Sequence, residues 1–303
     1  MRMRLMTILA VIALTAVFAA AQGQPDFSKV EVKITEIAPS LYTLEGQGGT
    51  MGALVGPDGV FIVDAQFAPL TEKLVAAVRR VTEQPIKYLV NTHVHPDHTG
   101  GNENFGKLGV LLFSRDQLRE RLIRPAGNAA SAPPAALPKV TYDGPVTLHL
   151  NGQNIQLIPI RAAHTDGDTL VRFPAADVIF TGDFFRSAGY PNIDRALGGT
   201  LAGMLNGLGQ TIGMMGPNTK AVPGHGAIVD RNFVTAHRDM IVTLRDRVAA
   251  LKRQGKTQQE VIAAKLTADL DSKVPGATAM TADRFIGQLY DELPAPVRAQ
   301  GSN

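Results

Sequence analysis

Apolar positions along the chain recur in two alternating regimes. Residues 30–37 (VEVKITEI), 41–46 (LYTLEG), 50–56 (TMGALVG) and 59–65 (GVFIVDA) are short β-rich runs, and Pro57-Asp58-Gly59 marks a turn between the last two. Residues 69–84 change period: Leu70, Leu74, Val75, Val78 and Val81 fall on one face of an amphipathic helix. Strands return at 86–93 (IKYLVNTH) and 107–114 (KLGVLLFS), around a loop and short helix at 97–106. The Pro/Ala-rich stretch 125–138 reads as a surface loop.

The second half repeats the sequence of regimes. Residues 146–152 and 153–160 flank Asn151-Gly152, a strong hairpin signal. Residues 169–174 (TLVRFP) and 177–183 (DVIFTGD) continue as strands, followed by a helix to about Met215 and a strand at 219–225 (TKAVPGH). A long helix over 230–252 and a last one over about 281–293 complete the pattern. Two units of strands followed by helices, packed sheet on sheet, predict an α/β fold: a four-layer αββα sandwich.

Composition narrows the chemistry. The 303 residues are 45% hydrophobic and 19% charged, enough apolar residues for a large core. There is no cysteine, which removes disulfides, thiolate ligands and a cysteine nucleophile together. The net charge of +3 falls to near +1 if Arg2 and Arg4 are removed with the leader, so a nucleic-acid partner is not expected. That leader reads MRMR, then an apolar run, then Ala19 and Ala21 at the two small-residue positions before Gln22. The run from Leu5 to Ala21 is 17 residues, short of the ~20 that a spanning helix needs. The expected organisation is a signal peptide at 1–21 cleaved after Ala21, a polar leader at 22–29, one domain at 30–295 and a tail at 296–303. The mature protein is then expected to be periplasmic or secreted, without stable membrane insertion.

The candidate chemistry concentrates in Asn91-Thr92-His93-Val94-His95-Pro96-Asp97-His98-Thr99-Gly100-Gly101-Asn102. His93 and His95, two apart at a strand end, leave the same face; Pro96 stops the strand, and Asp97 and His98 follow from the turn. Four donors within six residues do not fit one tetrahedral ion, but they suit two ions side by side. His164 opens HTDGD, Asp183 ends DVIFTGD and His225 ends AVPGH, each after a strand, where α/β proteins gather their sites. These complete a set of three His for one ion, and two carboxylates with two His for the other.

This ordered pattern resembles the metallo-β-lactamase superfamily, over about residues 30–295. The wording HTDGD, TGDFF and PGHG is similar to an exported branch of it. The resemblance implies two Zn2+ per chain in an αββα sandwich, with His93, His95 and His164 on the first ion. Asp97, His98 and His225 would bind the second, and Asp183 would bridge both. Asp64 matches the first motif of the superfamily, a buried carboxylate that orients a ligating imidazole. The best-known lactamases carry Cys where Asp183 stands, whereas glyoxalase-like hydrolases carry Asp. Those lactamases also have, three residues later, a Lys that grips a substrate carboxylate; Arg186 stands at that spacing here. Asn192, in GYPNID, is a candidate donor to a substrate carbonyl. Residues 46–52 (GQGGTMG) stand where lactamases carry a mobile flap. His149 and His237 fit no part of the pattern and are read as structural.

The implied activity is hydrolysis of a small-molecule lactam, ester, lactone or thioester by a metal-bridging hydroxide, with Asp97 orienting the nucleophile. A β-lactamase-like enzyme is the leading expectation. A glyoxalase-II-like thioesterase, favoured by Asp183, is the alternative, and a metal-binding accessory protein without turnover is the alternative outside enzymes.

Overall fold

The computed structural model describes residues 26–127 and 129–294. The expected signal peptide with its cleavage point at Ala21, and the 296–303 tail, lie outside the described residues. No helix among the described residues is long and apolar enough to cross a membrane.

Two sheets form the centre. The first contains β1 (Lys33–Ala38), β2 (Leu41–Glu45), β3 (Met51–Leu54), β4 (Val60–Val63), β5 (Ile86–Val90), β6 (Leu111–Arg115) and β7 (Val140–Tyr142), in that order across the sheet. Its first four strands form an antiparallel meander; β4 to β7 run parallel. The second contains β8 (Val146–Leu150), β9 (Gln153–Pro159), β10 (Thr169–Phe173), β11 (Val178–Gly182) and β12 (Lys220–Pro223), antiparallel except for the β11–β12 pair.

The four-layer reading follows from which side chains share a core. Phe61 and Val63 of β4 and Val90 of β5 pack against Leu157, Val171, Phe173 and Phe180 of the second sheet. Val60, Ile62 and Leu89, pointing the other way, pack under Leu74 and Val78 of α1 (Thr71–Arg79). In the second sheet, Leu170 and Ile179 face the helices α5 (Leu201–Met214), α6 (Arg231–Arg253) and α8 (Ala279–Glu292). Strands covered on both faces have no reason to alternate with polar residues, which is why VFIV reads as an unbroken apolar run.

The structure departs from the sequence expectation in places with identifiable causes. The helix expected at 69–84 is shorter: α1 is Thr71–Arg79, preceded by a 3-10 turn at Ala68–Leu70 and ended by Arg80 as its C-cap. β5 stops at Val90, so His93 and His95 sit on the following loop, and strand alternation is not what aims them. Short helices α2 (Pro96–Thr99), α3 (Asn102–Lys107), α4 (Asp116–Ile123) and α7 (Gln258–Ala263) complete the set. α4 buries only Leu118, too little for a periodic signal, whereas α7 opens on a capping box between Thr257 and Glu260 that the sequence does carry. The 125–138 segment is not wholly free: Ala136 accepts a bond from the Asn102 side chain.

One contact closes the sandwich at the end away from the β4 and β5 C-termini. Asn151 and Gly152 have φ of 52° and 70°, as a two-residue hairpin turn with positive φ at both positions requires. Asn151 Nδ2 donates to the Gly59 carbonyl (2.7 Å), Asp58 N donates to Asn151 Oδ1 (2.9 Å), and Asn151 N donates to Asp58 Oδ2 (2.6 Å). The tips of two hairpins, one per sheet, are thereby clasped. Asn151→Gly keeps the turn geometry and removes the side-chain bonds. It is expected to cost about 1–2 kcal/mol, read as a lower urea midpoint with unchanged slope, and to leave metal affinity unaltered; a loss below about 0.3 kcal/mol would show that the clasp contributes nothing.

Candidate metal centre

The site lies beyond the C-terminal ends of β4, β5, β9, β11 and β12, and each functional side chain comes from the segment that follows a strand. The loop after β5 is held by two asparagines with reciprocal amide bonds: Asn91 Nδ2 donates to Asn102 Oδ1 (3.0 Å) and Asn102 Nδ2 to Asn91 Oδ1 (2.8 Å). Asn91 Nδ2 also donates to the His98 carbonyl (3.0 Å). His93 to His98 are thus presented from a short loop whose two ends are locked together.

Seven side chains converge there. His93 Nε2 lies 3.1 Å from His95 Nδ1, which is 2.9 Å from His164 Nε2. Ligands about a tetrahedral ion with bonds of about 2.0–2.1 Å stand about 3.3 Å from one another, so this trio fits such an ion. Asp97, His98 and His225 form a second group, with His225 Nε2 3.0 Å from Asp97 Oδ2 and His98 Nε2 3.6 Å from the same oxygen. Asp183 stands between them: Oδ1 is 3.3 Å from His98 Nε2, and Oδ2 is 3.3 Å from His225 Nε2 and 3.9 Å from His164 Nε2.

The donors fit a metal for a further reason. His98 Nε2 and Asp183 Oδ1 are buried without a hydrogen-bond partner among the described residues. Buried polar atoms are nearly always paired, so two orphans pointing at each other's group mark a place for a cation. Electrostatics agree. Burial opposes charge on His98, yet the Asp64 and Asp183 carboxylates hold its pKa well above the usual range. Burial likewise opposes the Asp183 charge, and His98 and His225 hold that carboxyl well below the usual range. By contrast, burial lowers His164 to about 4 and holds His93 well below its ordinary value, leaving both imidazoles neutral and ready to ligate.

His93, His95, His98 and His164 are each oriented by the other ring nitrogen. Asp64 Oδ2 accepts from His98 Nδ1 (2.7 Å) and from the Thr92 hydroxyl (2.7 Å), and Oδ1 accepts from Thr92 N (2.7 Å). His93 Nδ1 lies 3.2 Å from that hydroxyl. Asp64 does this from a left-handed backbone, φ 66°, a conformation that a non-glycine residue adopts at a cost. His164 Nδ1 donates to the Asn192 carbonyl (2.7 Å). So the part of Asn192 that meets the cluster is its backbone, while its side-chain oxygen accepts from Gln288 (2.9 Å). Arg186 makes no hydrogen bond or ion pair among the described residues; its charge acts on His237 and Arg284. His149 lies on β8, exposed, against Asn154.

Two carboxylates had no place in the sequence reading. Asp194 Oδ2 accepts from His95 Nε2 (2.9 Å), which turns Nδ1 toward His93 and His164. Asp168 accepts from His164 N (2.6 Å), Thr165 N and the Thr165 hydroxyl (2.6 Å), clamping the HTDGD turn; burial raises its pKa to about 7. An Asp four residues after a ligand-type His is a recognisable turn signature, whereas Asp194 is 99 residues from His95 and carried no signal.

The glycine loop over 46–50 is not a detached flap. Gln66 Nε2 donates to the Gly49 carbonyl (2.8 Å), and Thr50 N donates to the Gly224 carbonyl (2.8 Å). A Cβ on Gly49 would stand 2.2 Å from His98 Cε1, and one on Gly224 would stand 1.9 Å from Asp183 Oδ1. Both glycines are required by close approach to the cluster.

The family model of the metallo-beta-lactamase superfamily matches residues 45–225. Among curated proteins, the chain is 26% identical over 163 residues to the 2,4-dinitroanisole O-demethylase subunit alpha of Nocardioides sp. (strain JS1661), covering 48% of each chain. Among solved structures it is similar to the stereoselective inverting sec-alkylsulfatase from Pseudomonas sp., at 18% identity and a TM-score of 0.66 over 87% of this chain and 51% of that one. It is also similar to a metallo-beta-lactamase from Pontibacter korlensis, at 20% identity and a TM-score of 0.59 over 70% of this chain and 99% of that one. The chain therefore spans about half the length of the demethylase subunit and of the alkylsulfatase.

The two orienting carboxylates should separate the two groups experimentally. Asp194→Ala is expected to weaken metal binding at the His93–His95–His164 group by about tenfold to a hundredfold, and Asp64→Asn to weaken the group containing His98 by a similar factor. Competition titrations with a chromophoric chelator measure both. Identical effects of the two variants on the two binding steps would contradict this division.

Proposed function

The chain belongs to the metallo-beta-lactamase superfamily, and from that premise we propose that it is an exported di-zinc hydrolase acting on a carbonyl of a small molecule. The superfamily is one of metal-dependent hydrolases. The observation that carries the finer reading is the pair of adjacent donor groups, His93–His95–His164 and Asp97–His98–His225, joined by a third, His93–His98–Asp183, in which His98 Nε2 and Asp183 Oδ1 are buried and unpaired. Imidazole and carboxylate donors without sulfur suit zinc. Export is supported by the basic, apolar and small-residue pattern of residues 1–21.

Zinc in the two groups would supply Lewis acidity, polarising a substrate carbonyl and bringing the pKa of water to about 7. The chain's own contribution is position and proton handling. His93, His95 and His164, their outer nitrogens bound to Thr92, Asp194 and Asn192, hold a fixed triangle of lone pairs. Asp97 is one-fifth exposed, at the open side of the cluster. Burial raises its pKa, but the bond from His225 and the charge on His98 outweigh that and keep the carboxyl below its usual range. An ionised Asp97 at that position can orient an attacking water and accept its proton. Asp183, buried beneath, turns Oδ1 to His98 and Oδ2 to both His225 and His164, so its carboxylate links the two groups.

Acyl chemistry such as lactam, lactone, ester or thioester hydrolysis is the leading reading. A second, cleavage of a sulfate ester or an aryl ether, is favoured by the names of the alkylsulfatase and O-demethylase relatives. A hydrolysis panel of nitrocefin, an acyl thioester, a homoserine lactone, a secondary alkyl sulfate and 2,4-dinitroanisole distinguishes them. Turnover of an acyl substrate that chelation abolishes and zinc restores is the expected result; turnover of the sulfate or the ether alone would replace the acyl reading with the second.

Elemental analysis of zinc-replete protein is expected to give about two equivalents per chain. Asp183→Asn should lower occupancy of the Asp97–His98–His225 group more than that of the other, because an amide offers one neutral acceptor where a carboxylate offers two charged oxygens. A stoichiometry of one that persists in excess zinc would overturn the paired arrangement.

A further inference from the structure

Helix α8 lies outside residues 45–225, the stretch that the family model matches, yet it holds a segment that reaches the metal cluster. Its apolar face is regular: Ala282, Phe285, Ile286 and Leu289 are buried in the core shared with α6. Gln288, beside that face, spends its whole amide on one distant dipeptide. Its Oε1 accepts from Ile193 N (3.1 Å), and its Nε2 donates to the Ile193 carbonyl (3.0 Å) and to Asn192 Oδ1 (2.9 Å). One side chain thus pairs both backbone groups of Ile193, as a neighbouring strand would. Ile193 is 1% exposed, so those groups need partners within the protein.

The rest of the segment follows α8 as well. Gly189 N donates to the Pro275 carbonyl (2.7 Å), just ahead of the helix. The Tyr190 ring stacks on Phe285, with centroids 6.4 Å apart and planes at 17°, and its hydroxyl donates to Asp271 (2.7 Å). Farther on, Glu292 Oε2 accepts from Leu201 N (3.1 Å), and Oε1 pairs with Arg195 Nε (2.9 Å).

Two groups of this pinned stretch reach the cluster. The Asn192 carbonyl accepts from His164 Nδ1 (2.7 Å), and Asp194 Oδ2 accepts from His95 Nε2 (2.9 Å). The residue that Gln288 grips lies between the two that aim those rings. His98, in the other group, takes its orientation from Asp64, which α8 does not touch. We propose that Gln288 is a positioning residue for the His93–His95–His164 group: acting through Asn192, Ile193 and Asp194, it sets the directions of the His164 and His95 rings and with them the affinity of that group for zinc. The proposal rests on the reading of the cluster as a zinc centre. Its physical basis is that the acceptor on the outer nitrogen fixes a ligating ring. Methionine in place of Gln288 keeps the length of the side chain and loses both polar atoms. Ile193 N and Asn192 Oδ1 then lack partners, and a segment with unpaired buried groups shifts to recover them.

Zinc titration of the metal-stripped full chain, in competition with a chromophoric chelator, tests this. In Gln288→Met the binding step that Asp194→Ala weakens should weaken by about three- to tenfold, less than for a direct outer partner. The other step should change by less than about twofold. Gln258→Met is the comparison. Gln258, on α7, donates to the Gly287 carbonyl (3.1 Å) and to Asp291 Oδ1 (2.9 Å), so it braces the same helix without touching the 189–201 segment. It should lower the urea midpoint and leave both steps unchanged. Asn192→Ala removes one of the three bonds and keeps the carbonyl for His164. It should weaken the same step by about threefold, and it carries the test if Gln288→Met does not fold. Unchanged zinc affinity in Gln288→Met, or in Asn192→Ala if only that variant folds, would overturn the proposal. So would equal weakening of both steps, or equal weakening in Gln258→Met. A wild-type chain that binds no zinc would overturn the reading of the cluster and this proposal with it, whereas tight wild-type binding beside an unaffected Gln288→Met would overturn the proposal alone.

Discussion

The structure is organised around a single electrostatic difficulty: imidazoles and carboxylates are gathered in adjoining groups, the donor atoms of each within 4.8 Å of one another and most of them out of water. Seven donors in that arrangement are tolerable only if a multivalent cation compensates the desolvation they have undergone. Much that is irregular in the fold serves this. Asp64 sits in a left-handed conformation because its two oxygens must reach the backbone of Thr92 and the ring of His98 at once. Gly49 and Gly224 lack side chains because the rings and carboxylates occupy that space. The paired asparagines 91 and 102 give the motif loop a rigidity that its short helices alone would not provide.

The sandwich supplies the other half of the requirement, a frame stiff enough to hold these groups. Three separate cores, one between the sheets and one under each helical layer, lock the strands whose ends carry the cluster. Arg115 ties the layers together near the site. It is buried at the end of β6, and its guanidinium donates to the Ile160 and Asp166 carbonyls and to Asp143. The HTDGD turn is therefore held both by Asp168 from within and by Arg115 from the opposite sheet.

The parts of this that the sequence discloses are those whose cause is local. Strands such as VFIV and DVIFTGD, the Asn151-Gly152 turn and the long helix beginning at Asp230 follow from period and turn chemistry, and the structure contains them. The close spacing from His93 to His98, with His164, Asp183 and His225 after later strands, picks out the same side chains that the fold draws together. What escapes is the set of contacts made across the fold. Asp194 reaches His95 from 99 residues away, Asn192 contributes a carbonyl rather than its amide, and Gly49 matters for what it lacks. No pattern along one chain encodes these, because each depends on where two distant loops meet. The aim of His93 and His95 was also misattributed to strand alternation; the loop lock through Asn91 and Asn102 is the real cause.

The clasp between Asn151 and Asp58 bears on how such a protein changes over evolutionary time. The sandwich is fastened at both ends, by this clasp remote from the cluster and near it by Arg115 and the Thr50–Gly224 backbone bond. With the frame held at both ends, exposed loops can diverge in length and composition without unfolding the scaffold, and one frame can host unrelated reactions. That freedom is uneven. The 46–50 and 91–102 loops are fixed by contacts as close as those of a protein core, whereas residues 129–131 are exposed. Changes of length and composition cost little stability in the second kind of loop and much in the first.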